Sequence, residues 1–170
     1  MYRINDCVVY GAAGVMKIVD ITRESVGGAS HEYYVLSEVS GASSSKTYVP
    51  VDNEKLVGSM RFVMTAEEIE RALKADSLPT VTWVRDTRAR AEKFRSVIDK
   101  ADISTIVAML RSIKETERAR IADGKKVYVS DNAVLLRALK MLDSEISLAF
   151  KVDETEAREI LLERCPFLKD

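Results

Sequence analysis

Histidine is almost missing from this sequence: His31 is the only one in 170 residues, and cysteine follows with two, Cys7 and Cys165. A catalytic triad or dyad would need His31 as its base, and a metal site would need it among clustered ligands. No such partners are evident around it. It stands between a Gly27-Gly28-Ala29-Ser30 turn and the strand-like Glu32-Tyr33-Tyr34, the setting of a surface residue. The cysteines lie at opposite ends of the chain without a CxxC partner, which excludes a disulfide framework and a zinc knuckle and predicts two reduced thiols. No run of about 18 uncharged apolar residues occurs, and Met1-Tyr2-Arg3-Ile4-Asn5-Asp6 leads into a short apolar strand without a signal-peptide core. These two absences predict a cytoplasmic protein without a membrane span. Gly11-Ala12-Ala13-Gly14 lacks the Gly-Lys-Ser/Thr ending of a phosphate loop and runs into the strand pattern Val15-Met16-Lys17-Ile18-Val19, so it reads as a turn. The carboxylate pairs Glu67-Glu68 and Asp153-Glu154 fall where helices begin, and dipole complementation accounts for them. No base and nucleophile constellation for a small hydrolase is present. The expectation is no enzyme, no metal and no cofactor.

What is present suits a globular protein with a real core: 46% apolar, 31% charged and 6% aromatic residues, a length for one ordinary domain or two small ones. Up to about residue 60 the chain reads as β-structure, with Cys7–Tyr10, Val15–Thr22, Tyr33–Val39 and Lys46–Val51 as strands rich in Val, Ile and Tyr. Gly27-Gly28 and Ser40-Gly41-Ala42-Ser43-Ser44-Ser45 supply hairpin loops, and the whole suggests a small barrel or strongly bent sheet. From Thr65 the period becomes helical. Thr65-Ala66-Glu67-Glu68 and Asp153-Glu154-Thr155-Glu156 are capping boxes, the first opening a helix to about Ala75. Ile103, Ile106, Val107, Leu110 and Ile113 keep helical spacing, as do Leu135, Ala138, Leu139, Leu142 and Ile146. The predicted fold class is therefore α+β in two domains, residues 1–60 and an all-helical 61–170.

Charge sums to −1 but is unevenly placed. Residues 1–60 carry five basic and seven acidic groups, whereas residues 83–95 hold Arg85, Arg88, Arg90, Lys93 and Arg95 against Asp86 and Glu92. Such a cluster can neutralise phosphates, although a basic helical face is also common on ordinary soluble proteins. Trp83, the single tryptophan, precedes it, with Thr82 as the candidate cap of the basic helix. Two readings of the indole stand side by side. It completes a buried stripe with Thr87, Ala91, Phe94 and Ile98, or it is a stacking platform at a distorted base step, flanked by arginines.

Val8-Val9-Tyr10-Gly11-Ala12-Ala13-Gly14-Val15, Glu32-Tyr33-Tyr34-Val35-Leu36, Val49-Pro50-Val51-Asp52-Asn53 and Gly58-Ser59-Met60-Arg61 resemble, in order and spacing, the N-terminal module of the CarD/CdnL transcription regulators, which transcription-repair coupling factors share. Trp83 with Arg85, Arg88 and Lys93 resembles the tryptophan and basic positions of that family's helical domain. The resemblance implies a Tudor-like small β-barrel that docks on the β subunit of bacterial RNA polymerase, largely through a sheet edge. It also implies a helical domain whose tryptophan wedges at the upstream edge of the transcription bubble and stabilises the promoter open complex. On it, Trp83 is the wedge, and Arg85, Arg88 and Lys93 hold phosphates of promoter DNA, with Arg90 a helper on another helix face. Arg23 and Tyr48 are the polymerase-contacting candidates, Tyr48 standing where some members have arginine. Gly11 replaces the family's usual proline. The expectation is a monomeric regulator without enzymatic activity, and, because the chain is nearly neutral and tethered to polymerase, one with weak, sequence-nonspecific DNA affinity in isolation. The rival reading is a protein–protein adaptor on polymerase with no DNA contact and Trp83 in the core.

Overall fold

The computed structural model describes residues 1–26, 29–39, 45–74, 76 and 78–169. The Gly27-Gly28 turn and all but Ser45 of the 40–45 loop lie outside these described residues. The chain divides into two compact units, residues 1–63 and 64–170.

The first unit contains β1 (Cys7–Tyr10), β2 (Val15–Val26), β3 (Ala29–Glu38), β4 (Lys46–Pro50), the single-turn helix α1 (Glu54–Val57) and β5 (Met60–Phe62). All ladders are antiparallel, in the order β4-β3-β2-β1-β5. This is a five-stranded sheet with β4 and β5 at its edges, and no ladder between those two closes it into a barrel among the described residues. Gly11 and Gly14, at φ 44° and 75°, take backbone conformations that L side chains resist, and a 3-10 turn over Gly11–Ala13 joins β1 to β2. The Gly14 amide donates to the Gly11 carbonyl at 3.2 Å, so the glycine pair is a turn.

Inward residues alternate as the pleat requires. Val8, Met16, Ile18, Tyr34, Leu36, Val49 and Met60 form the core, with Ile21 packed against it. Met16 and Ile18 are even-numbered and Ile21 is odd. The reason is a β-bulge: Ile18 pairs with Leu36 but Asp20 with Val35, so Val19 is an extra residue that resets the parity of β2. Without it Ile21 would face outward.

The strand β5 was not legible. The sequence placed a boundary at Val57-Gly58-Ser59-Met60-Arg61, yet Met60, Arg61 and Phe62 pair with Tyr10, Val9 and Val8. Three residues are too few to show a period, and the partner lies some fifty residues away.

The second unit contains α2 (Ala66–Ala72), α3 (Thr87–Lys100), α4 (Ile103–Ala122), α5 (Val129–Phe150) and α6 (Glu154–Arg164). Both capping boxes form, Thr65 with Glu68 and Asp153 with Glu156. α4 and α5 bury the two predicted stripes in full, from Ile103 to Ile113 and from Leu135 to Ile146. α2 packs on α4 and α5, α3 on the same two, and α6 on α5. Polar staples add register. Asp143 of α5 takes two hydrogen bonds from the Arg158 guanidinium of α6, and Glu70 of α2 takes two, at 2.8 and 2.9 Å, from Arg164 of α6. The Arg164 guanidinium holds the Glu70 carboxyl below its ordinary pKa. Glu145, buried in α5, accepts from the Met64 amide at 3.1 Å. Cys165 is a buried free thiol whose pKa burial raises to about 11, which leaves it unreactive at neutral pH.

Candidate nucleic-acid interface and sheet edge

Pro79 and the β-branched Thr80, Val81, Thr82 and Val84 disfavour a helix before α3, and Trp83 lies in this segment, in neither helix nor strand. The cap of α3 is Asp86, whose carboxylate accepts from the Ala89 amide at 2.8 Å, so Thr82 is not the cap. The helical stripe proposed through Trp83, Thr87 and Ala91 therefore does not exist: Thr87 and Ala91 are exposed. The stripe that α3 buries is Arg90, Phe94, Val97 and Ile98. Trp83 is partly buried, edge-on to Phe94 at 6.0 Å and stacked on Tyr128 at 6.3 Å between ring centroids.

Arg90 corrects the sequence reading most sharply. It was a candidate phosphate ligand, yet it is 0% exposed. Its Nε donates to Asp131 Oδ1 at 3.1 Å, and its Nη1 donates to the carbonyls of Val84 (2.9 Å) and Arg85 (3.1 Å). The guanidinium carbon lies 4.5 Å from the Trp83 ring and 4.6 Å from the Tyr128 ring, completing a triangle with them. Arg90 Nη2 and Asp131 Oδ2 are buried without a hydrogen-bond partner among the described residues. Lys93 is also engaged, donating to the Thr82 carbonyl at 2.7 Å. Two of the four predicted phosphate ligands thus hold the backbone that carries Trp83.

Arg85 and Arg88 are exposed and make no ion pair among the described residues. Arg88 sits in the first turn of α3, where the helix dipole disfavours a cation by about 0.3–1 kcal/mol and favours an anion. That placement costs the helix a little and leaves positive potential beside Trp83. A cavity of about 10 Å³ lined by Trp83, Tyr128, Asp131 and Arg120 has room for a single water. A base cannot enter it, so the accessible part of the indole is what a base step could meet.

Tyr128, Asp131 and Arg120 escaped the sequence reading. Arg120 donates from Nη1 to the Tyr128 hydroxyl at 3.0 Å and from Nε to the Lys126 carbonyl at 2.8 Å. Asp131 is a first-turn acid of α5, which sequence explains by the dipole alone, and its partner is 41 residues away. One signal was available: Arg90 lies at i, i+4, i+7, i+8 with Phe94, Val97 and Ile98.

In the sheet unit, β4 is an edge strand paired on one side with β3. Val49 points into the core and Tyr48, 48% exposed, away from it, its ring 6.4 Å from that of Tyr33. Arg23 is on the outer part of β2, which pairs with β3 but lies beyond the β1 ladder that ends at Lys17, and it stands opposite Glu32, 3.8 Å from its carboxylate. Tyr48 pairs with Val35 and Arg23 with Glu32, positions of opposite parity on β3, so the two candidates project to opposite faces. The structure does not bring them together. His31 pairs with Asp52 at 3.2 Å on the surface, and no metal-binding cluster occurs among the described residues.

No curated protein matches the chain. The sheet unit does have a known counterpart: residues 2–64, from Tyr2 to one residue past the unit's end, match the family model of the CarD-like/TRCF RID domain.

Proposed function

We propose that the protein is a cytoplasmic bacterial transcription regulator without enzymatic activity that binds the β subunit of RNA polymerase and stabilises the promoter open complex. The observation that carries this reading is the match of residues 2–64 to a CarD-like/TRCF RID domain. The free edge of β4 supports it, because an edge strand offers unpaired backbone groups to a partner strand while Tyr48 gives side-chain contact. In this reading residues 1–63, with the Tudor-like character of the family, dock on polymerase, and residues 64–170 face promoter DNA.

Trp83 stacks at the upstream edge of the bubble, with Arg85 and Arg88 on nearby phosphates. A stacked base contributes about 1–3 kcal/mol, enough to bias an opening equilibrium roughly five- to a hundred-fold. Docking on polymerase supplies the effective concentration, so a monomer of near-neutral charge acts without tight binding to free DNA.

The test is the lifetime of open complexes formed by bacterial polymerase alone, with the protein, and with Trp83→Ala. The wild type lengthens the lifetime about five-fold or more, and Trp83→Ala, still bound to polymerase, loses the gain. Binding to polymerase without lengthening by either protein would leave the adaptor.

A further inference from the structure

We propose that Arg90, braced by Asp131, is a positioning residue that fixes Trp83 for contact with a distorted base step; this rests on the DNA-facing reading of Trp83. The segment carrying the indole has neither helix nor strand to hold it. Its carbonyls are held instead on both sides of Trp83, Thr82 by Lys93 and Val84 and Arg85 by Arg90, and both donors come from α3. The same guanidinium touches the indole face and the Tyr128 ring. Asp131 ties it to α5, and Arg120 at the end of α4 holds Tyr128 from behind. Three helices therefore converge on the placement of one side chain.

Arginine is the residue this task requires. Its planar fork presents donors in fixed directions to two carbonyls and a carboxylate at once, whereas lysine offers a point charge on a flexible stem. The pair is also poorly arranged for stability, since one guanidinium nitrogen and one carboxylate oxygen are buried unpartnered. An apolar pair would fill the same space without that cost but would release the Val84 and Arg85 carbonyls. Geometry at Trp83 is what the ionic pair supplies.

The single tryptophan makes the test direct. In Arg90→Lys, with wild-type far-UV circular dichroism, the acrylamide quenching constant of Trp83 rises about two-fold or more. Asp131→Asn, isosteric and still able to accept from Nε, shows a smaller rise and decides the matter should Arg90→Lys fail to fold. Ile146→Val, which weakens the core without touching the segment, leaves quenching at the wild-type value. Unchanged quenching in the Arg90 and Asp131 variants would overturn the proposal. In the open-complex assay, at saturating occupancy of polymerase, Arg90→Lys loses most of the lifetime gain. A full gain alongside altered quenching would likewise overturn it. Absence of a gain with the wild type would refute the DNA-facing reading instead, and quenching alone would then judge whether Arg90 positions the indole.

Discussion

Removing one member of the Arg90–Asp131 pair should cost far more than removing both. Asp131 is 6% exposed and Arg90 0%, so Arg90→Met leaves a carboxylate buried without its counterion, a loss of about 3–5 kcal/mol. Asp131→Leu leaves the guanidinium buried with only two carbonyls, a loss of similar size. The double variant strands no charge. It forfeits the hydrogen bonds to Val84 and Arg85, whose carbonyls lie near the surface and can turn to water, so its cost is about 1–2 kcal/mol. The coupling is then at least about 4 kcal/mol, within reach of a double-mutant cycle. Urea unfolding followed at 222 nm reads it, since the long helices all lie in the second unit. A double variant destabilised by the sum of the single losses would refute the reasoning.

Two further predictions follow from the helical unit. Glu70 has its pKa lowered by Arg164, so its contribution is present above the ordinary carboxylate range and is lost as pH falls through the folded-state pKa. Both side chains are more than a third exposed, or nearly so, and the effect is below about 1 kcal/mol; Arg164→Met should flatten the acid limb of stability against pH below about 4.5 by that amount, and an unchanged limb would sink the assignment. Lys151 ends α5 at φ 58°, a left-handed conformation that costs an L residue roughly 1–2 kcal/mol. Lys151→Gly should stabilise the unit by about 0.5–1 kcal/mol in urea unfolding after the added freedom of the unfolded chain is counted, and a loss of stability would contradict it.

Local signals in the sequence are strong. Both capping boxes, the stripes of α4 and α5, and four of five strands follow from spacing within a few residues. β3 begins four residues earlier and β2 runs four residues further than read, because their outer pairs, such as Arg23 with Glu32, are polar on both sides and leave no hydrophobic alternation. What was hidden depends on distant partners. Met60–Phe62 is a strand because β1 is there, and Arg90 is buried because Asp131, Trp83 and Tyr128 surround it. A charge count over 83–95 cannot separate cations that face water from those turned inward. Asp86, which interrupts that count, is the cap that starts α3 beyond Trp83 and so removes the indole from the helix altogether.

On the DNA-facing reading, the engagement of Arg90 and Lys93 with backbone carbonyls also sets how the protein should respond to ionic strength. The four predicted cations all on phosphates would displace counterions with a log–log salt slope near −3.6, whereas Arg85 and Arg88 alone give about −1.8. Between 50 and 200 mM salt, that is roughly a twelve-fold loss of DNA affinity in place of about a hundred-and-fifty-fold. On that reading, few outward cations suit a protein whose grip on DNA survives changes in the electrolyte while polymerase supplies the hold.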